Sequence, residues 1–297
     1  MRKSYFLMHL AILLWGFTGI FGKAISMNEG MIVWYRMLIS AAGMLGIIYW
    51  NKKSINFSAK NILKISSVGI IVCLHWIAFY GAIKISNVSI TLSCFSSVAL
   101  FTAIIEPLSE KKKPLGSELL LGIGVMVGIY VIFQSQQIYF WGIIIALISA
   151  LFGSVFTVMN KKLMTTYEAE PVTFYELTGG FVFLSCLLPF YLTATNQHFI
   201  FPGLTDSVYL ILLSLVCTSF AFTISLKALK KVNAFTMNLS VNLEPVYSII
   251  LAIIIFNEDE YLNTGFFVGT LIIISAVIVH SWYAFNKSKQ MIKKRRG

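Results

Sequence analysis

The chain contains a series of ten runs of about 20 predominantly apolar residues, and this feature limits its possible folds most strongly. A helix of that length rises about 1.5 Å per residue and so crosses the hydrocarbon core of a bilayer, which is roughly 30 Å thick. Hydrophobic residues make up 58% of the sequence and charged residues 12%, which excludes an ordinary soluble domain. The sequence therefore predicts an all-α polytopic membrane protein with ten transmembrane helices, at approximately residues 5–25, 31–50, 61–83, 88–108, 116–135, 138–160, 171–193, 205–227, 232–256 and 262–285.

Positive charge is distributed unevenly between the two sets of connectors. If the N-terminus is cytoplasmic, all 23 lysines and arginines lie at or near the cytoplasmic side except Lys23, Lys84 and Arg36. Cytoplasmic loops of membrane proteins are enriched in these residues, so we expect a multi-pass protein with both termini in the cytoplasm. The net charge of +11 is spread over short connectors and a basic tail, which argues against a nucleic-acid partner.

The two halves of the chain contain similar stretches. "WGFTGIFGKAI" followed by "VWYRML" matches "FGSVFTVMNKKLM" followed by "TFYELT", which aligns Lys23 with Lys161 and Arg36 with Glu176. "GAIKISNVS", at 81–89, likewise resembles "KALKKVNAF", at 227–235. Each half contributes five spans, and because five is odd the second half must cross the membrane in the opposite direction. We expect two inverted five-helix repeats and a basic cytoplasmic tail, at residues 1–136, 137–286 and 287–297.

These stretches resemble the EamA family of the drug/metabolite transporter superfamily, and the likeness covers nearly the whole chain. It rests on "LLWGFTGIFGKAI" in the first span, "YRM" in the second, "AFYGAIKISNVS" at the end of the third and "ALKKVNAFTMNLSVNLEPVYSIILAIIIFNEDE" through the ninth. The resemblance implies two bundles of five helices around a central cavity, in a bacterial cytoplasmic (inner) membrane. It also implies transport of small metabolites or amino acids, often outward. The fourth span has Ser97 where the ninth has the helix-breaking Pro245.

Ionisable residues within a predicted span are candidates for function, although structural pairs are an alternative. Glu244 lies about twelve residues into the ninth span, near the bilayer midplane, where a charge costs roughly 2.5–3.5 kcal/mol on insertion scales. Polar residues recur along the same helix, so it presents a face that lipid cannot solvate. His75 lies at a similar depth in the third span, and a buried structural role is the alternative for both residues. The predicted cavity-lining or substrate-binding residues are Trp15, Thr18, His75, Trp76, Phe79, Ser93, Ser96, Asn238, Asn242 and Glu244.

Three further residues are predicted to act in gating or in structural pairing. Arg36 lies roughly 9 Å from the outer end of the second span, which suggests an outer anchor or gate rather than the centre of the binding site. Glu176 aligns with Arg36 but enters the membrane from the cytoplasmic side, so we expect the two charges to lie too far apart to pair. Pro245 removes a backbone donor and is expected to break the ninth helix.

A polar cavity between inverted repeats favours a secondary transporter, with export as the preferred direction. The chain contains no GxxxxGK[ST] loop, which disfavours ATP-driven transport, and no HExxH motif of an intramembrane metalloenzyme. Proton-coupled efflux of drugs or organic cations is a second candidate, and a non-transport membrane protein is a third. We expect no enzymatic activity, cofactor or metal site. The expected partners are a small-molecule substrate and membrane lipid, and the sequence leaves coupling to a proton open.

Overall fold

The structure is a computed structural model that describes residues 2–133, 139–244, 246–248, 251 and 264–294. The described residues form helices and connectors, without a β-strand. A π-helical segment, Leu215–Phe220, joins two of the helices into one continuous span. The helices are α1 (Arg2–Ala24), α2 (Glu29–Trp50), α3 (Ala59–Ile85), α4 (Val88–Phe95), α5 (Val98–Ser109), α6 (Gly116–Phe133), α7 (Phe140–Leu163), α8 (Ala169–Ala194), α9 (Leu204–Ser214), α10 (Ala221–Leu229), α11 (Ala234–Val241) and α12 (Thr264–Lys294).

The helices agree with the predicted spans and confirm an all-α polytopic membrane fold. Within the described ranges, six segments are long and apolar enough to cross a membrane, namely α1, α2, α3, α7, α8 and the combined segment Leu204–Leu229. Shorter apolar helices at Val98–Ser109, Gly116–Gly128 and Phe267–His280 fall in the fourth, fifth and tenth predicted spans. The ninth span begins with α11 and then passes largely outside the described residues.

Asparagine residues cap three helices at their N-termini. The side-chain oxygen of Asn28 accepts a hydrogen bond from the backbone N–H of Met31 at the start of α2. Asn87 and Asn233 cap α4 and α11 in the same way, at oxygen to nitrogen distances of 2.7 and 2.8 Å. These two asparagines align in the repeat, so equivalent helices begin with the same cap.

The fourth predicted span consists of two helices, α4 and α5, rather than one continuous helix. It breaks at Ser96–Ser97 between α4 and α5, and the ninth span breaks after Val241 at Asn242–Leu243. In the register that aligns Asn87 with Asn233, the two breaks coincide. At the break in the fourth span, the Ser96 hydroxyl donates to the carbonyl of Leu92, and the backbone N–H of Ser97 bonds to the carbonyl of Cys94, three residues earlier.

Close backbone contact between α3 and α8 joins the two halves of the chain. A Cβ atom at Gly69 would lie 1.9 Å from the carbonyl oxygen of Glu176, and one at Gly180 would lie 2.7 Å from the carbonyl oxygen of Gly69. Only glycine permits such an approach, as is common where membrane helices cross. α3 also packs against α7, so it contacts two helices of the second half.

Large apolar side chains remain exposed on the outside of the bundle. Leu63, Phe190 and Leu271 are examples, with exposed fractions of 73%, 74% and 64%. Such a surface would promote association in water, whereas lipid tails cover it in a bilayer. The polar side chains described below lie on the inside.

Candidate functional site

A cavity lies between helices of the two halves. Its aromatic wall consists of Trp15, Trp76, Phe79, Phe95, Phe156 and Phe222. Its polar and charged lining residues are Thr18, Arg36, His75, Thr157, Asn160, Ser225, Asn238 and Glu244. The cavity is therefore largely apolar with a few convergent polar groups, as is typical of small-molecule sites.

Arg36 on α2 forms part of this wall. Its side chain is buried, with the guanidinium carbon 3.7 Å from the centroid of the Trp76 ring. The Nε–H donates to the hydroxyl of Thr218 at 2.7 Å, and Nη1 donates to the hydroxyl of Tyr80 at 2.8 Å. The ring contact and the two hydrogen bonds fix the plane of the guanidinium group.

The position of Arg36 differs from the outer anchor that its depth suggested. Its side chain is 2% exposed and faces the cavity, so it does not extend towards the outer headgroups. Thr218 lies in the π-helical segment, where its hydroxyl donates to the carbonyl of Leu213 five residues earlier. This wide turn presents Thr218 to α2, which the linear sequence could not reveal.

Glu244 reaches the same cavity from the other half of the chain. It follows the break at Asn242–Leu243 and is 4% exposed. The hydroxyl of Thr18 on α1 lies 3.3 Å from Oε1 of Glu244 and also donates to the carbonyl of Trp15 at 2.7 Å. The cavity thus contains a guanidinium from α2 and a carboxyl group from the ninth span.

His75 is held by a residue of α7. Its Nδ1 lies 3.0 Å from the carbonyl oxygen and 2.9 Å from the hydroxyl of Ser149. Since a carbonyl can only accept, the first contact assigns a hydrogen to Nδ1. The ring also lies 5.2 Å from that of Phe95 and 5.3 Å from that of Phe156, measured between centroids. His75 therefore joins the polar lining to the aromatic wall.

The structure places only some of the remaining predicted residues in the cavity wall. Trp15, Trp76 and Phe79 line the cavity, as does Asn238, whose amide donates to the hydroxyl of Thr102 at 2.7 Å. Ser96 and Asn242 are buried in the two helix breaks and are not among the lining residues. Glu176 is 1% exposed and is not among the lining residues. Its Oε2 accepts a hydrogen bond from Nδ2 of Asn160 at 3.3 Å. The side chain of Ser93 and the whole of Pro245 lie outside the described residues.

Several lining residues were not among the predictions. Phe222 and Ser225 align with Trp76 and Phe79 when the repeat register is extended backwards, so the internal similarity could have identified them. Asn160 ends the predicted sixth span and directly precedes the Lys161–Lys162 pair, so its place in the sequence indicated the cytoplasmic membrane surface rather than a cavity. Phe156 and Thr157 carried no signal that distinguishes them from other residues of an apolar span.

Comparisons with known proteins identify the family of this chain. A family model described as "EamA-like transporter family" matches this chain twice, at residues 2–134 and 140–282. An uncharacterized transporter of Archaeoglobus fulgidus is 24% identical over 286 residues, which cover 93% of this chain and 96% of the relative. An uncharacterized transporter of Clostridium kluyveri is also 24% identical, over 318 residues that cover 99% and 97% of the two chains.

One solved structure, titled only "Crystal structure of protein", superposes with a TM-score of 0.77 at 14% identity. The superposition covers 96% of this chain and 99% of that one, and at such low identity it shows a shared fold. The family match extends over both halves of the sequence and includes all the residues that line the cavity. The protein is a membrane transporter of the EamA-like transporter family.

Proposed function

We propose that this protein exports small zwitterionic metabolites, such as amino acids with apolar side chains, by alternating access around the cavity. We place it in the cytoplasmic (inner) membrane of a bacterium with both termini in the cytoplasm, as the charge distribution predicts. The observation that carries the substrate assignment is the presence of Arg36 and Glu244 in one aromatic cavity. The guanidinium of Arg36 suits the anionic pole of a zwitterion, and the carboxylate of Glu244 suits the cationic pole.

Arg36 provides the site for the carboxylate of the substrate. A guanidinium has five N–H donors, and two of them are used by Thr218 and Tyr80. The other donors are available to a ligand, in a plane that the Trp76 ring fixes. Planar, preoriented donors bind a carboxylate through two parallel hydrogen bonds and lose little conformational freedom when they do so.

Glu244 and the aromatic residues provide the site for the ammonium group and the apolar side chain. A carboxylate that faces the cavity attracts a cationic pole, and the faces of aromatic rings attract it as well. The rings of Phe79, Phe95 and Phe156 surround His75 on one side of the cavity. An apolar side chain can pack against these rings and leave both charged poles on the polar groups.

Matching contacts at the two ends of the bundle support alternating access. At the outer end, the hydroxyl of Tyr35 on α2 donates to the carbonyl of Ile200, between α8 and α9. At the cytoplasmic end, the hydroxyl of Tyr175 on α8 donates to the carbonyl of Ile55, between α2 and α3. Tyr35 and Tyr175 align in the register that pairs Arg36 with Glu176, so each half holds the other by the same contact.

A hydrogen bond and an ion pair reinforce these contacts. The hydroxyl of Ser26 donates to Asp206 at the outer end at 2.5 Å. Lys53 and Glu168 form a hydrogen-bonded ion pair at the cytoplasmic end, with 2.8 Å between Nζ and Oε2. The hydrogen bond to Glu168 raises the pKa of Lys53. We call the first set, Ser26, Tyr35, Ile200 and Asp206, the outer closure, and the second set, Lys53, Ile55, Glu168 and Tyr175, the inner closure. The proposal requires them to open in alternation.

The extent of the cavity favours loading from the cytoplasm. Its lining includes Leu229, at the cytoplasmic end of α10, and Met237, in the first turn of α11. Towards the outer end, the ring of Tyr80 packs against Gly22, where an added Cβ would lie 2.5 Å from a ring carbon. Loading from this side requires the inner closure to open first.

Counterflow in proteoliposomes tests the proposal. Labelled phenylalanine should accumulate in vesicles preloaded with unlabelled phenylalanine when the protein is present, and vesicles without protein are the control. Leucine should compete, whereas N-acetylphenylalanine and phenylethylamine should compete weakly, because each lacks one charged pole. Equal competition by phenylethylamine would favour efflux of organic cations instead. Absence of protein-dependent counterflow for zwitterionic solutes would contradict the proposal.

A further inference from the structure

We propose that Glu176 is a proton-binding site in the second half of the transporter, linked to the cavity through Asn160, and that proton and solute exclude each other. The inference rests on the proposed function, and it assigns a role to a buried acid that lies outside the solute site. Glu176 is on α8, where its backbone contacts Gly69 of α3. It is separate from Glu244, which lines the cavity itself.

The surroundings of the Glu176 carboxyl leave it poorly compensated. Oε2 accepts one hydrogen bond, from Nδ2 of Asn160 at 3.3 Å. Oε1 has no hydrogen-bond partner within the described part of the chain, and neither does Oδ1 of Asn160. A buried carboxylate with a single neutral donor is costly, because the desolvation of the charge is not recovered.

Charged groups on the neighbouring helices are bound elsewhere. α3 and α2 present Gly69 and Met37 near this part of α8. Four charged or titratable groups on the neighbouring helices have partners of their own: Arg36 of α2 bonds to Thr218 and Tyr80, His75 of α3 to Ser149, Lys161 of α7 to the carbonyls of Leu229 and Val232, and Lys227 of α10 to Glu170 of α8.

A proton fits this site better than a metal cation does. The described polar atoms at the carboxyl are its own two oxygens and the amide of Asn160. A hard cation requires about six oxygen ligands, far more than these groups supply. A proton removes the negative charge and turns one carboxyl oxygen into a donor, so the neutral acid suits the apolar surroundings.

Asn160 links this proton to the solute. It lines the cavity and also donates to Glu176, so a solute beside it lies one side chain away from the carboxyl. An ammonium pole held in the cavity near Glu244 attracts the ionised Glu176 carboxylate through the low dielectric of the site, and this attraction favours release of the proton. When the cavity is empty, the ionised carboxylate lacks this stabilisation and Glu176 keeps its proton. Proton binding therefore disfavours solute binding, and by thermodynamic linkage the reverse also holds, as an exporter driven by proton entry requires.

Site-specific modification by dicyclohexylcarbodiimide tests proton binding in the unaltered protein. This reagent reacts with protonated carboxyl groups in apolar surroundings, and peptide mass spectrometry locates the product. Modification of Glu176 should decrease as the pH of the medium is raised, because only the neutral carboxyl group reacts with the carbodiimide. It should also decrease when phenylalanine is added. No modification of Glu176 at the lowest pH, or modification that phenylalanine leaves unchanged, would overturn the proposal.

Transport by Glu176→Gln in proteoliposomes tests the coupling. The measured quantity is the ratio of flux driven by a pH gradient to counterflow of labelled phenylalanine, and it should fall about tenfold, within the usual range of coupling between sites. Glu110→Gln is the matched control, since Glu110 is an exposed cytoplasmic acid paired with Lys112, and its ratio should equal that of the wild type. An unchanged ratio in Glu176→Gln would overturn the proposal. If the wild type shows no counterflow, the result contradicts the proposed function instead. Carbodiimide modification then still decides whether Glu176 binds a proton.

Discussion

The guanidinium of Arg36 stacks on the ring of Trp76, with 3.7 Å between the guanidinium carbon and the ring centroid. Two neighbouring helices of the first half, α2 and α3, thereby form one charged wall of the cavity. The stacking also explains how a permanent cation is kept among apolar helices, since the ring and two hydroxyl groups replace part of its hydration. The contact constrains the orientation of the guanidinium and hence the kind of anion that it can bind.

Replacement of Arg36 by lysine should impair transport although the charge is kept. A lysine ammonium cannot bind Thr218 and Tyr80 and present two parallel donors to a carboxylate at the same time. We expect the KM for phenylalanine to rise about tenfold or more, because a hydrogen bond to a charged group contributes about 1.5–3 kcal/mol. Concentration-dependent counterflow measures this change. A KM equal to that of the wild type would show that Arg36 does not bind the carboxylate.

Glu244→Gln should change which solutes compete for the site. The substitution keeps the size of the side chain and an acceptor for Thr18, but it removes the negative charge. Phenylalanine should bind more weakly to the variant, whereas N-acetylphenylalanine, which lacks the cationic pole, should be affected much less. Competition against labelled leucine measures both effects. An equal loss for the two solutes would indicate that Glu244 supports the fold rather than the ammonium group.

The sequence predicted the order and approximate length of the helices because lipid imposes one strong rule on every span. The same rule located Glu244 and His75, since an ionisable residue near the midplane requires a polar neighbour. The direction of a side chain around its helix is set by packing, however, and this is why the sequence indicated an outer anchor or gate for Arg36 rather than a place in the cavity wall. Asn160 was missed for a related reason, because distance along a span does not give distance from the cavity.

Glycine substitutions should test the contact between α3 and α8. Gly69→Ala would place a methyl group against the carbonyl of Glu176, which the backbone can relieve only if the helices separate. Overpacking of this kind costs typically about 1–3 kcal/mol, so the midpoint of thermal unfolding in detergent should fall. Gly46→Ala is the matched control, because a Cβ there meets no atom within 4 Å. Equal midpoints for the two variants would contradict the crossing geometry.

Disulfide trapping should show whether the two closures open in alternation. Ser26 and Asp206 of the outer closure are hydrogen-bonded, and Lys53 and Glu168 of the inner closure form an ion pair, so each pair can be replaced by two cysteines in a background without the native ones. Oxidation of either pair should abolish phenylalanine counterflow, because a transporter locked at one end cannot expose the cavity on that side.

Reduction of the disulfide should restore the flux, and the corresponding single-cysteine variants should be insensitive to oxidant. Full counterflow by the cross-linked Ser26→Cys and Asp206→Cys double variant would exclude the outer closure as a gate, and the same result for the Lys53 and Glu168 pair would exclude the inner one. Alternating access requires both cross-links to block transport.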